Sequence, residues 1–233
     1  MSLDVSAASR LVSSSLAEVA DPAKAAGMQA YMKTDMPFYG VQKPARTRIM
    51  RRLRDEFPPG TLAEYDALAT ALWVLPHREE KYLAQAVATQ FERFIVPDSM
   101  PLYLRFIVEG AWWDFVDETA THLVRELVLG FPAETWPTVD VWNDADDMWL
   151  RRASIICQIG AKERTDVDRL FAFCERRMHE QEFFIRKAIG WALREHAKTD
   201  PEAVASFVAR HRGGLSPLSS REATKHIGHL VTT

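Results

Sequence analysis

The chain lacks most of the features that assign a protein quickly. It has two cysteines, Cys157 and Cys174, seventeen positions apart and outside any CxxC pair. That excludes a disulfide framework or a zinc site and predicts two buried thiols. No apolar run approaches the roughly 18 to 20 residues that a membrane helix needs. The stretch from Met1 to Arg10 has no cationic segment leading into an apolar one, so a soluble, cytoplasmic protein is expected. There is no Gly-rich phosphate loop, GxSxG elbow or HExxH motif, which removes the usual nucleotide-binding, hydrolase and zincin classes. The seven histidines, His77, His122, His179, His196, His211, His226 and His229, are scattered without ligand spacing, so no metal and no cofactor is expected. Excess charge is missing as well: 29 Lys and Arg against 32 Asp and Glu leave a net −3.

What remains is an ordinary globular composition, 47% hydrophobic and 26% charged over 233 residues, consistent with one domain covering 1–233. Apolar residues recur at helical spacing, as in Tyr82, Leu83, Ala86, Val87, Phe91 and Phe94, and alternation with period two is never sustained. The fold class is therefore all-α. Twelve prolines and ten glycines punctuate the chain into about twelve helices of roughly 10 to 18 residues. Thr61 with Glu64 three positions on has capping-box spacing, and Asp200-Pro201-Glu202 places proline behind an aspartate cap.

A faint internal repeat carries more information than any single helix. Trp149-Leu150-Arg151-Arg152-Ala153 aligns with Phe184-Ile185-Arg186-Lys187-Ala188 after a shift of 35 residues, the mark of stacked helical hairpins in a HEAT-like solenoid with a concave face. Charge is also segregated. Lys43 to Arg54 holds six basic residues and no acidic one, whereas Asp98 to Asp147 holds eleven acidic residues and only Arg105 and Arg125 as bases. One region suits a polyanion, although such charges can equally solvate helix faces. Among the seven tryptophans, Trp113 lies four residues before Asp117 and Trp191 four after Lys187, so on a helix each aromatic plane shares a face with a charge. The repeat alignment equates Arg152 with Lys187. A tryptophan on such a helix can also be plain core, and Arg152 or Asp117 can pair locally.

Several segments in order carry a family likeness: Tyr31 to Arg46 (YMKTDMPFYGVQKPAR), Trp73 to Glu79 (WVLPHRE), Trp112 to Asp117 (WWDFVD), Met148 to Arg152 (MWLRR), Lys187 to Glu195 (KAIGWALRE) and Leu218 to His226 (LSSREATKH). Together they resemble the AlkD family of DNA alkylation repair glycosylases from about Tyr31 to His226. The resemblance implies a HEAT-like solenoid holding duplex DNA and a monofunctional glycosylase that removes cationic N3- and N7-alkylated purines while they remain in the duplex. It implies that Asp117 is the catalytic carboxylate, that Trp113 and Trp191 face the lesion, that Arg152 is a basic partner at the backbone, and that Tyr31 and Gln42 lie near the lesion. The absence of a recognisable Lys nucleophile predicts base excision without strand cleavage. With a net charge of −3, DNA affinity must come from a local stripe, for which Lys43, Arg46, Arg48, Arg151, Arg152, Lys187, Arg194 and Lys225 are the candidates. The expected partner is double-stranded DNA with alkylated bases, bound by a monomer without any membrane association. A non-catalytic HEAT-like module binding DNA structure or protein, and a protein-interaction scaffold, are the competing readings.

Overall fold

A computed structural model describes residues 3–230. Among them there is no strand, and no helix is long and apolar enough to cross a membrane. The contacts divide the chain into two compact units, one ending at Leu102 and the other beginning at Tyr103.

The first unit holds α1 (Val5–Glu18), α2 (Pro22–Met32), α3 (Lys43–Glu56), α4 (Leu62–Trp73) and α5 (Arg78–Gln90). Helix α1 packs against α3, α4 and α5, and α4 against α5. Val12, Leu16, Leu53, Tyr65, Leu68, Leu72 and Val87 are fully buried between them. Each such side chain contributes about 1.5 to 3 kcal/mol of apolar transfer, and this packing, more than local propensity, holds the short helices.

After α6 (Met100–Gly110), the second unit continues through α7 (Trp113–Glu118), a π-helical turn (Thr119–Val124) and α8 (Arg125–Gly130). It then runs through α9 (Pro132–Asn143), α10 (Met148–Ile156), α11 (Val167–Arg177), α12 (Phe183–His196), α13 (Pro201–Arg210) and α14 (Pro217–Ala223). Its core is continuous through Phe106, Phe115, Leu123, Val139, Ile156, Ile185, Ile189 and Phe207. Helix α10 packs on α7, α9 and α12, and α12 on α14.

Most prolines open helices. Pro22, Pro132, Pro201 and Pro217 stand first and Pro44 second, where the missing N–H has no intrahelical partner to lose. Pro137 differs from the sequence expectation of a break. It lies inside α9 between the buried Trp136 and Val139, whose anchoring carries the helix through. Thr61 accepts from the Glu64 amide at 3.2 Å, but the Glu64 carboxylate turns to the amides of Gly60 and Leu3, so only half of the capping box forms. Asp200 caps α13 through the Ala203 amide at 2.9 Å. Cys157 and Cys174 are buried free thiols.

The repeat is real and extends further than the sequence alignment. Arg152 on α10 pairs with Asp117 on α7, and Lys187 on α12 pairs with Glu222 on α14, each 35 residues apart. Asp117, Arg152, Lys187 and Glu222 thus occupy one register on four helices.

Candidate active site

The second unit contains every residue of the candidate chemical centre. Ala111 takes a left-handed turn (φ 39°) and Trp112 an extended one, which breaks the chain between α6 and α7. Phe115 and Val116 are buried, so α7 is rooted through that side. Trp113 and Asp117 share the flanking stripe, one turn apart. The π turn begins two residues after Asp117, with Thr121 Oγ1 donating to the Asp117 carbonyl at 2.7 Å. Such turns sit frequently at functional sites because they re-aim one helical turn.

Helix α10 starts at Asp147, whose carboxylate accepts from the Trp149 and Leu150 amides. Its buried Ala153, Ile155 and Ile156 dock it and present Arg152, itself only 5% exposed. The guanidinium donates Nε to Asp117 Oδ1 and Nη2 to Oδ2, both at 2.7 Å, and Nη1 to the Phe184 carbonyl at 2.6 Å. This planar, bidentate pairing holds the carboxylate in one orientation. The third bond fixes the arginine to the first turn of α12. Trp112, Trp149 and Phe184 form an aromatic cluster beside it, with ring centroids 4.9 to 6.0 Å apart, and the buried Trp112 Nε1 has no partner. Asp117 keeps 17% of its side chain exposed, so it is enclosed yet reachable. Burial pushes its carboxyl above the usual carboxylate range, with a smaller push from Asp114, while Arg152 pulls the other way.

On α12, Lys187, Trp191 and Arg194 follow at i, i+4 and i+7 and share one stripe. Lys187 Nζ lies 2.8 Å from Glu222 Oε1, and Arg194 pairs with the other carboxylate oxygen. Burial lowers the Lys187 ammonium pKa, and the nearby Arg194, Arg152 and Arg221 lower it further. Trp113 and Trp191 are half-buried. Arg151 is spoken for by the fold: it donates to Glu180 and to the Ala145 and Asp146 carbonyls that close the turn before α10. Lys225 is exposed after α14.

In the first unit, Tyr31 on α2 is 73% exposed. Gln42 caps α3 by position but makes no side-chain cap bond, and Lys43 and Arg48 follow exposed on α3. Neither Lys43 nor Arg48 has a carboxylate partner among the described residues. Arg46 is instead braced locally, donating to the Val41 carbonyl at 2.7 Å and lying 4.6 Å from the Tyr82 ring centroid. An open cleft of about 550 Å³ is lined by Asp21, Lys24, Gly40, Gln42, Pro44 and Arg48.

The loop that leads into α3 is held from beneath. Buried Glu79 accepts from the amides of Tyr39, Gly40 and Val41 at 2.8 to 3.0 Å. Gly40 has φ 83°, and a Cβ there would meet the Asp21 carbonyl oxygen at 2.1 Å, so no other residue fits.

Sequence reading missed three members of this arrangement. Phe184 supplies the carbonyl that fixes Arg152, Glu180 consumes Arg151, and Glu222 bridges two of the proposed DNA contacts. The last was within reach: carrying the 35-residue shift from Asp117 through Arg152 and Lys187 lands on Glu222.

The centre is thus a bidentately held, partly buried carboxylate on an all-helical repeat. The family model described as DNA alkylation repair enzyme matches residues 12–227, and the chain belongs to that AlkD-like family. A solved structure described as a predicted DNA alkylation repair enzyme from Enterococcus faecalis is similar at 31% identity and a TM-score of 0.79, covering 89% of this chain and 96% of that one. No curated protein matches the chain.

Proposed function

We propose that the protein is a monofunctional glycosylase that hydrolyses the N-glycosidic bond of N3- and N7-alkylated purines in duplex DNA, working as a cytoplasmic monomer. The observation that carries this reading is the Asp117 carboxylate clamped by Arg152. Alkylation at N3 or N7 makes the purine cationic, so the base leaves without a general acid. The deoxyribose then gains oxocarbenium character, and an immobile carboxylate stabilises that charge without reorganising. It also orients the attacking water and accepts its proton. Each Asp117 oxygen takes one bond from Arg152, and a carboxylate oxygen has a second lone pair to offer.

Burial strengthens both roles. A carboxylate with raised pKa is a better base, and its field is less screened. Arg152 is a positioning residue in this scheme, with N–H groups left over for a flanking phosphate. Trp113 and Trp191 offer indole faces to the cationic base, worth about 0.5 to 2 kcal/mol per contact. Lys43, Arg48, Lys187, Arg194 and Lys225, with Tyr31 and Gln42, are the proposed DNA contacts.

The test is release of free 3-methyladenine and 7-methylguanine from methylated duplex, followed by chromatography. Wild type should release both and leave the strand intact, and Asp117→Asn should bind duplex but release neither at a comparable rate. Undiminished release by Asp117→Asn would remove the carboxylate from the mechanism. No release by wild type would return the chain to the non-catalytic reading.

A further inference from the structure

Among the described residues, Glu222 is the one carboxylate that holds two of the proposed DNA contacts at once. One oxygen is 2.8 Å from Lys187 Nζ and the other pairs with Arg194. The two cations flank Trp191 on the same stripe of α12. Around them cations outnumber carboxylates: Arg194, Arg152 and Arg221 all act on Lys187, against the paired carboxylates of Asp117 and Glu222.

The bridge is not what docks α14. Gly190 lets the backbones approach, since a Cβ there would lie 2.5 Å from Glu222 Cβ and 3.0 Å from the Ser219 carbonyl oxygen. Ser219 Oγ donates to the Arg186 carbonyl at 2.9 Å, and Ser219 and Ala223 are buried at the contact. With close backbone approach, a hydroxyl tie and an apolar seat, the two helices are joined without the Glu222 charge. The carboxylate is 20% exposed and its partners 37% and 22%, so the pairing is half-buried and still open to solvent on one side.

A carboxylate and a phosphodiester present the same chemistry to these cations: one negative charge over two acceptor oxygens. We propose that Glu222 is an internal competitor of the DNA backbone phosphate for Lys187 and Arg194. It occupies both cations in the free protein and so lowers affinity for undamaged duplex. The proposal rests on the glycosylase reading only in requiring that this face meets DNA. A repair enzyme that samples mostly undamaged sequence gains from weak non-specific binding, because release from wrong sites limits the search.

The experiment is binding of an undamaged duplex by fluorescence anisotropy between about 50 and 200 mM salt, for wild type and Glu222→Gln, each checked for folding by thermal melting. Loss of the competing charge should tighten binding about tenfold near 0.1 M salt and steepen the log–log salt slope by about one, the effect of one more neutralised phosphate. Adding Arg194→Gln to Glu222→Gln should cancel most of that gain. Equal or weaker binding by folded Glu222→Gln, an unchanged slope, or a gain that survives the double substitution would each overturn the proposal. If Glu222→Gln does not fold, Glu222→Asp serves instead: it keeps the charge but draws it back by one methylene, and binding no tighter than wild type would count against competition. Because the readout is binding to lesion-free DNA, the proposal can fail while alkylpurine release persists, and release can fail while competition holds.

Discussion

Two carboxylates, Glu79 in the first unit and Asp117 in the second, show how one chemical group is given opposite employment. Glu79 is wholly buried and accepts three backbone amides from a single loop. Those bonds shape the entry to α3, and the complete burial of Glu79 keeps it from meeting a substrate. Asp117 has one side-chain partner, retains some exposure, and has its carboxyl pushed up by burial. Its orientation is fixed but its reactivity is not exhausted. The cations differ in the same sense. On α3, Lys43 and Arg48 stand exposed, whereas Arg151, Arg152, Lys187 and Arg194 in the second unit are each held by a carboxylate. A free charge serves long-range, salt-sensitive attraction, and a held charge serves geometry.

This contrast can be broken most forcefully at Glu79. Glu79→Ala leaves three loop amides without an acceptor at about 1 to 3 kcal/mol each, so the thermal midpoint should fall sharply. A variant that melts with wild type would show that the loop needs no support. Asp117→Asn should do the converse: it leaves the buried Arg152 charge uncompensated and so costs some stability, but excision per folded molecule should drop by about two to three orders of magnitude, the usual loss for a preorganised electrostatic group. If it melts early and its residual activity tracks its folded fraction, Asp117 belongs with Glu79.

A pH profile sharpens the same distinction at smaller amplitude. The ionised Asp117 is the working form, and its folded pKa lies above the ordinary carboxylate value. Excision should therefore fade, as pH falls, above the usual carboxylate range near 4. The folded state binds this proton more tightly than the unfolded chain. The contribution of Asp117 to stability is accordingly greatest at low pH and is lost as pH rises through the raised value, so activity should decline on acidification before this group causes any unfolding. An acid limb that coincides with loss of helical signal would contradict that. The smallest effect is expected at α3: Lys43→Gln or Arg48→Gln should weaken duplex binding similarly for all sequences and reduce the salt slope by about 0.9, with the excision step unchanged in single-turnover assays at saturating protein.

Much of this was legible in advance. Period 3.6 patterning and the proline positions foretold an all-helical chain, and Asp200 and Thr61 marked helix starts correctly, because caps act within a few residues. Pro137 defeated the same logic, since tertiary anchoring of Trp136 and Val139 outweighs one lost hydrogen bond. The 35-residue shift was visible in ten residues of sequence, and its physical content, an ion pair at the first and last of three steps, emerged only when α7, α10, α12 and α14 came together.

By itself, the sequence determined the helices, the repeat length and the family, because these rest on local spacing and on residue identities in order. Tertiary structure decided which charges are spent and which are available: that Glu79 is a buried brace, that Arg151 closes a turn, that Arg152 clamps Asp117, and that Glu222 spans two cations. Hydrogen bonds and ion pairs reach only a few ångströms, so the partner of a side chain 35 residues away is chosen by packing, and no window along the chain contains it.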